Sequence, residues 1–179
     1  MRALGVGLLC LGLLLGCSEP QPSTDKLEVG QPLPPMTLQR LDGAAADRLR
    51  DYRGKLVVMN LWATWCEPCR REMPNLQQLS DTLDADRFAV IGVAQDEDDH
   101  LVREYLIDKG VEFAHYIDAG GAITSERLGI RLFPYTLLIA PDGRLIQSIP
   151  GAREWHHPEV VDLLEQLYAG DYSQLQPER

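Results

Sequence analysis

Cys66 and Cys69, in Trp65-Cys66-Glu67-Pro68-Cys69, are two thiols with two residues between them, a spacing that closes a tight, reversible disulfide. In thiol-disulfide exchange one thiolate attacks and forms a mixed disulfide, which its neighbour then resolves. Cys66 falls at or just before a helix start, where unpaired N–H groups and the positive dipole end favour a thiolate. It is the expected exposed attacking thiol. Cys69, one turn further in, is the expected buried resolving thiol. The competing chemistry is half of a zinc site, which needs two further ligands; the sequence holds no H-x-x-x-H pattern to supply them.

Glu72 belongs to the same face. At about 100° per residue from Cys69, Glu72 falls near −60°, between Leu76 near −20° and Leu79 near −80°. A carboxyl on that apolar arc has a raised pKa and can exchange protons with a thiol. The alternative is a glutamate snorkelling at the edge of the face or paired with a Lys or Arg. Phe133-Pro134-Tyr135-Thr136 precedes a strand, where proline is tolerated at the first residue. A cis Pro134 opposite Cys66 would place backbone groups to pair with an extended substrate, although the isomer is not legible in a sequence. Trp62 reads as core, and Trp65 as an exposed apolar platform suited to partner docking. The acidic run Asp96-Glu97-Asp98-Asp99 lacks calcium-loop spacing and reads as a helix cap. His156-His157 read as surface residues, His100 and His115 carry no ligand pattern, and no metal site is expected.

The elements that position these groups follow from patterning. Met36 to Gln39 alternates like a strand, with Asp42-Gly43 as a hairpin turn. Lys55 to Ala63 and Arg87 to Ala94 are near-continuously apolar, as in strands buried on both faces. Pro68 to Leu83 reads as a helix with Pro74 as a kink. Asp98 to Lys109 reads as a second helix, with Leu101, Val102, Tyr105 and Leu106 on one face and Gly110 as its stop. A short strand at Phe113 to Ile117 and a short helix at Gly121 to Leu128 follow. Tyr135 to Ala140 and Arg144 to Ile149 flank Pro141-Asp142-Gly143 as a hairpin, and Pro158 to Tyr168 closes the chain as a helix. Strand–helix–strand–helix, a hairpin and a final helix imply an α/β fold with a mixed central sheet flanked by helices.

The chain has 179 residues, enough for one domain and short for two. Its net charge of −10 argues against a nucleic-acid surface. Residues 1–16 form an apolar run with one charge, Arg2, too short for a comfortable membrane span and suited to an export signal. The run ends Leu14-Leu15-Gly16-Cys17, which resembles a bacterial lipobox with Cys17 as the lipidated residue. The alternative is an ordinary secretory signal with an incidental Cys17. The expected organisation is a signal at 1–16, a polar tether at 17–26, one domain at 27–170 and a tail at 171–179. With Cys10 removed and Cys17 lipidated, only Cys66 and Cys69 remain for redox or metal chemistry.

Trp62-Ala63-Thr64-Trp65-Cys66-Glu67-Pro68-Cys69, Pro74 and Phe133-Pro134-Tyr135-Thr136 together resemble the thioredoxin superfamily. Val29-Gly30-Gln31-Pro32, the hairpin ahead of the core, Glu67-Pro68 and Glu72 make the chain similar to its TlpA/ResA-type branch of membrane-anchored, extracytoplasmic thiol-disulfide oxidoreductases. The resemblance spans about Leu27 to Tyr168. It implies a thioredoxin-like fold with an N-terminal β-hairpin extension, Cys66 as nucleophile, Cys69 as resolving thiol, Pro134 as a cis-proline and Glu72 tuning the pair. It implies no cofactor beyond the redox-active disulfide. Known members reduce protein disulfides outside the cytoplasm, often in cytochrome c or copper-site maturation, and draw electrons from a membrane thiol transporter. A lipid-anchored monomer on the extracytoplasmic or periplasm-facing membrane surface is the matching expectation, with Trp65 and Phe133 as docking residues. Two positions depart from the superfamily pattern: Asn60 stands where cytoplasmic thioredoxins carry a buried Asp, and Phe133 is bulkier than the usual Thr or Val. A second reading uses the same thiolates, without turnover, as a Cu(I) carrier.

Overall fold

The computed structural model describes residues 27–175; the expected signal, Cys17 and the tether lie outside the described residues. Strands β1 (Thr37–Arg40) and β2 (Asp47–Arg48) pair antiparallel as the N-terminal hairpin. Asp42 and Gly43 sit in its loop, where the Asp42 carboxylate accepts from Ala44 N–H and Gly43 takes a φ of +74°. A 3-10 turn at Leu49–Tyr52 leads to strand β3 (Leu56–Trp62), buried at every position. Helix α1 (Glu67–Thr82) then crosses back to strand β4 (Phe88–Ala94), which pairs in parallel with β3. Parallel neighbours require such a crossover.

Helix α2 (Asp99–Lys109) is capped by the Asp98 side chain and stopped by Gly110 at φ +63°. Leu101, expected on its buried face, is 53% exposed. Val102 and Leu106, four residues apart, take the centre of the buried stripe, and Leu101 is left on its flank. Strand β5 (Ala114–Ile117) pairs in parallel with β4 and antiparallel with β1. The segment expected as a helix at 121–128 is a π-helical turn, Ala122–Arg127. It is entered through two positive-φ glycines, Gly120 and Gly121, and Asp118 accepts from the N–H groups of Ile123 and Thr124. Strands β6 (Tyr135–Ile139) and β7 (Leu145–Pro150) form the second hairpin, and helix α3 (Pro158–Tyr168) closes the fold.

The seven strands form one mixed sheet in the order β2-β1-β5-β4-β3-β6-β7. Alternation along β3 divides the core. Val58 and Trp62 join one cluster with residues of all three α-helices, including Cys69, Met73, Val102 and Leu164. Val57, Met59 and Leu61 join a second, covered by Met36, Leu38 and Leu49 and by Ile123, Leu128 and Ile130 around the π-helical turn. No helix among the described residues is long and apolar enough to cross a membrane.

Helix α1 runs on through Pro74, whose missing N–H deprives the Arg70 carbonyl of its helical partner. Tyr105 of α2 reaches that carbonyl with its hydroxyl at 3.3 Å. Gly92, in the middle of β4, meets a second packing constraint. It lies opposite His115 of β5, whose ring is tucked edge-on against Trp62 and beside Phe113. A Cβ on Gly92 would fall 2.3 Å from His115 Nδ1 and 3.1 Å from Trp62 Nε1. Gly92→Ala should therefore lose about 1–3 kcal/mol of stability through overpacking, read as a lower urea midpoint at unchanged slope.

Candidate active site

Cys66 takes the N-cap position of α1, with extended backbone (φ −89°, ψ 103°), and Pro68 occupies the first turn behind it. Cys66 and Cys69 are joined by a disulfide, with Cα atoms 5.3 Å apart. The Cys69 N–H points at Cys66 Sγ at 3.3 Å, so the helix end presents a donor to the sulfur that would carry thiolate charge. The expectation of an exposed Cys66 needs correction, because it is only 6% exposed; Cys69 is fully buried. The bond to Cys69 draws the Cys66 sulfur into the first turn of the helix and away from solvent.

The loop between β3 and α1 is held by a residue read earlier only as part of a capping run. Asp96, just beyond β4, accepts hydrogen bonds from the Thr64 N–H at 3.0 Å and from the Thr64 hydroxyl. Of that acidic run, Asp98 caps α2, Asp99 pairs with Arg103, and Glu97 accepts from Gly120 N–H. The cap reading thus holds for Asp98 and fails for Asp96, whose partner lies 32 positions away. The positional cue for Asp96 was an acid immediately after a buried strand parallel to the one that leads into the cysteines.

Glu72 lies one helical turn beyond Cys69 and is only 2% exposed. Its Oε1 accepts from Asn60 Nδ2 at 2.6 Å, and its Oε2 accepts from Arg153 N–H at 2.8 Å and Trp155 Nε1 at 3.3 Å. Asn60 Nδ2 also reaches Thr136 Oγ1 at 3.0 Å, while Asn60 Oδ1 is buried with no partner among the described residues. Burial pushes the Glu72 carboxyl above its ordinary value; the bonds from Arg153, Asn60 and Trp155 oppose that rise without cancelling it. Arg153 and Trp155 carried no signal in the sequence, because they lie 81 and 83 positions from Glu72 and meet it only through the fold.

The Phe133–Pro134 peptide bond is cis. Pro134 immediately precedes β6, whose Tyr135 lies opposite Leu61 near the end of β3. The Pro134 carbonyl accepts from Gly151 N–H at 2.8 Å. Trp65 is 65% exposed and meets Phe133 edge-on, with ring centroids 5.9 Å apart. Leu132, next to Phe133 in the chain, is 77% exposed. Cys66, Trp65, Phe133 and Pro134 thus converge at the end of β3, with Glu72 beneath them on the buried side of α1.

A reversible cysteine pair capping a helix, backed by a buried carboxyl and flanked by a cis-proline, defines the thioredoxin-like class of redox site. The Redoxin family model matches residues 28–167. Thiol-disulfide oxidoreductase ResA of Bacillus thuringiensis subsp. konkukian is 34% identical over 127 residues, covering 71% of this chain and 72% of the relative. Thioredoxin-like protein YneN of Bacillus subtilis is 32% identical over 126 residues, covering 69% and 71%. Among solved structures, a protein from Chlorobium tepidum assigned as thiol:disulfide interchange protein DsbE superposes with a TM-score of 0.68 at 27% identity, covering 82% of this chain and 99% of that one. The chain belongs to the Redoxin family and, within it, to the ResA-type thioredoxin-like thiol-disulfide oxidoreductases.

The raised Glu72 pKa has a definite sign in stability. Folded Glu72 binds its proton more tightly than the unfolded side chain does. Its contribution is therefore complete below the ordinary value of 4.5 and is lost as pH rises through the higher folded value. Unfolding the oxidised protein in urea from pH 4 upward, wild type should lose stability relative to Glu72→Gln, then level off. The subtraction removes His115, which burial pushes down to about 3, and the exposed carboxylates. A difference independent of pH would contradict a buried, proton-accepting Glu72.

Proposed function

We propose that this oxidoreductase reduces protein disulfides outside the cytoplasm through a Cys66–Cys69 dithiol/disulfide cycle. The observation that carries this reading is the buried Glu72 one turn from Cys69, on the same helix that Cys66 caps. In the reduced protein, the Cys66 thiolate attacks a substrate disulfide, and the leaving substrate sulfur departs as a thiolate that takes up a proton. Cys69 passes its own proton to the Glu72 carboxylate and attacks Cys66 Sγ, and the second substrate sulfur leaves as a thiolate that takes up a proton in turn. Two electrons move to the substrate and the Cys66–Cys69 disulfide is left behind.

Asn60 suits both protonation states of Glu72. Its Nδ2 donates to the carboxylate, and its unpartnered Oδ1 can accept from the protonated acid after rotation of the amide. An Asp at this position would instead bring a second carboxyl against Glu72. Substrate docks on Trp65 and Phe133; because Gly151 already occupies the Pro134 carbonyl, strand-like pairing with an extended substrate falls to the backbone of Phe133. The lipobox-like Leu14-Leu15-Gly16-Cys17 supports anchoring through Cys17 at the extracytoplasmic membrane surface. A monomer there is re-reduced by a membrane thiol donor, and cytochrome c or copper-site maturation supplies disulfides of the right class.

Reduced protein should turn over a protein disulfide at catalytic levels. Cys66→Ser should abolish turnover, and Cys69→Ser should accumulate a substrate mixed disulfide on Cys66, seen by non-reducing electrophoresis and mass. Equilibration with glutathione should place the pair toward the −270 mV end of the range of about −120 to −270 mV. A potential near −120 mV, or tight Cu(I) binding without turnover, would overturn the reductase assignment.

A further inference from the structure

Glu154-Trp155-His156-His157 follows β7 and reads in sequence as surface. The fold brings one ligand atom each from Glu154, His156 and His157 within 4.8 Å of one another, with all three residues exposed. The two imidazoles stack with centroids 4.6 Å apart and planes 27° from parallel. His156 Nδ1 lies 3.6 Å from Glu154 Oε2.

The backbone that carries these groups is tied down on both sides. Trp155, between Glu154 and His156, is 4% exposed and donates its indole N–H to Glu72. Asn75 on α1 donates Nδ2 to Glu154 Oε2 at 3.1 Å and orients the carboxylate from outside the cluster, as outer partners of metal ligands do. Pro158 starts α3 and keeps His157 extended, at φ −69° and ψ 139°. His157 occupies the N-cap of α3, yet its side chain makes no capping hydrogen bond. The imidazole is therefore free for another partner.

We propose that Glu154, His156 and His157 form a binding site for a divalent transition-metal ion of the zinc class. Two imidazoles and a carboxylate suit zinc, copper or nickel over calcium or magnesium. Zinc ligands at about 2.0–2.1 Å from the metal need to close to roughly 3.3 Å from one another, a movement exposed side chains make by rotation. Three protein ligands leave a fourth position open to water or to a donor from a partner. The positive end of α3 opposes a cation, and the carboxylates of Glu154 and of Glu159 in the first turn supply the compensating charge. The site uses neither cysteine sulfur. It is distinct from the redox pair and shares with it only the loop whose Arg153 and Trp155 hold Glu72.

The test is calorimetric titration of ZnCl2, a redox-inert probe, into tag-free full-length oxidised protein with any remaining thiols blocked by N-ethylmaleimide. One Zn2+ per chain should bind, and the His156→Ala/His157→Ala variant should bind at least about ten-fold more weakly. Glu154→Gln should weaken binding with both imidazoles in place. All three side chains are exposed, so the metal-free variants should keep the wild-type circular dichroism and unfolding midpoint. Equal Zn2+ affinity in wild type and the double histidine variant, or no saturable binding by wild type, would overturn the site.

Discussion

A carboxylate buried beneath a sulfur pair is the constraint around which this molecule is assembled. Glu72 is almost wholly removed from solvent, and an unpaired buried carboxylate costs several kcal/mol. Its three donors come from distant parts of the chain: a side chain of β3, a backbone N–H and an indole from the loop after β7. Helix α1 buries Glu72 against donors that β3 and the loop after β7 bring to one place. The same α1 that buries Glu72 offers its N-terminus to Cys66. Satisfying one buried carboxyl thus fixes the helix whose N-terminus meets Cys66.

The loop after β7 has a second role in this arrangement. Gly151 N–H engages the carbonyl of Pro134, and two residues later Arg153 N–H engages Glu72. A single short segment therefore ties the proline beside the sulfur pair to the carboxyl beneath it. On the opposite flank, Asp96 at the end of β4 pins Thr64 and so the approach to Cys66. The redox pair is clamped between two loops, each emerging from a strand end on the same side of the sheet.

Local chemistry was readable from the residues, and long-range partnership was not. The spacing of Cys66 and Cys69, the apolar run at Leu56–Trp62 and the angular position of Glu72 are all properties of a dozen neighbouring residues. Periodicity sufficed to put Glu72 on the inner face, because Leu76 and Leu79 flank it there. It could not reveal Trp155 or Arg153, which are 83 and 81 residues away. It also widened the buried stripe of α2 to include Leu101, since an apolar residue at the edge of a stripe looks the same in sequence as one at its centre. The short helix expected at 121–128 is present at Ala122–Arg127, but on a π pitch that the sequence did not reveal. Two positive-φ glycines and the Asp118 carboxylate start the turn on a wider pitch, and tertiary packing of Ile123 and Leu128 holds it there.

Asn60 shows how a departure from the superfamily pattern follows from the same constraint. In a site with a buried carboxyl on α1, a second acid on β3 would place two like charges in one desolvated space, and one would have to stay protonated. An amide avoids this by presenting a donor to the ionised form and an acceptor to the neutral one. The buried carboxyl has in effect moved from the strand to the helix. It stays on the buried side of the cysteines, beneath Cys69. Trp65 and Phe133 are left on the outer side as an uncharged apolar rim, across the sulfur pair from the buried carboxyl.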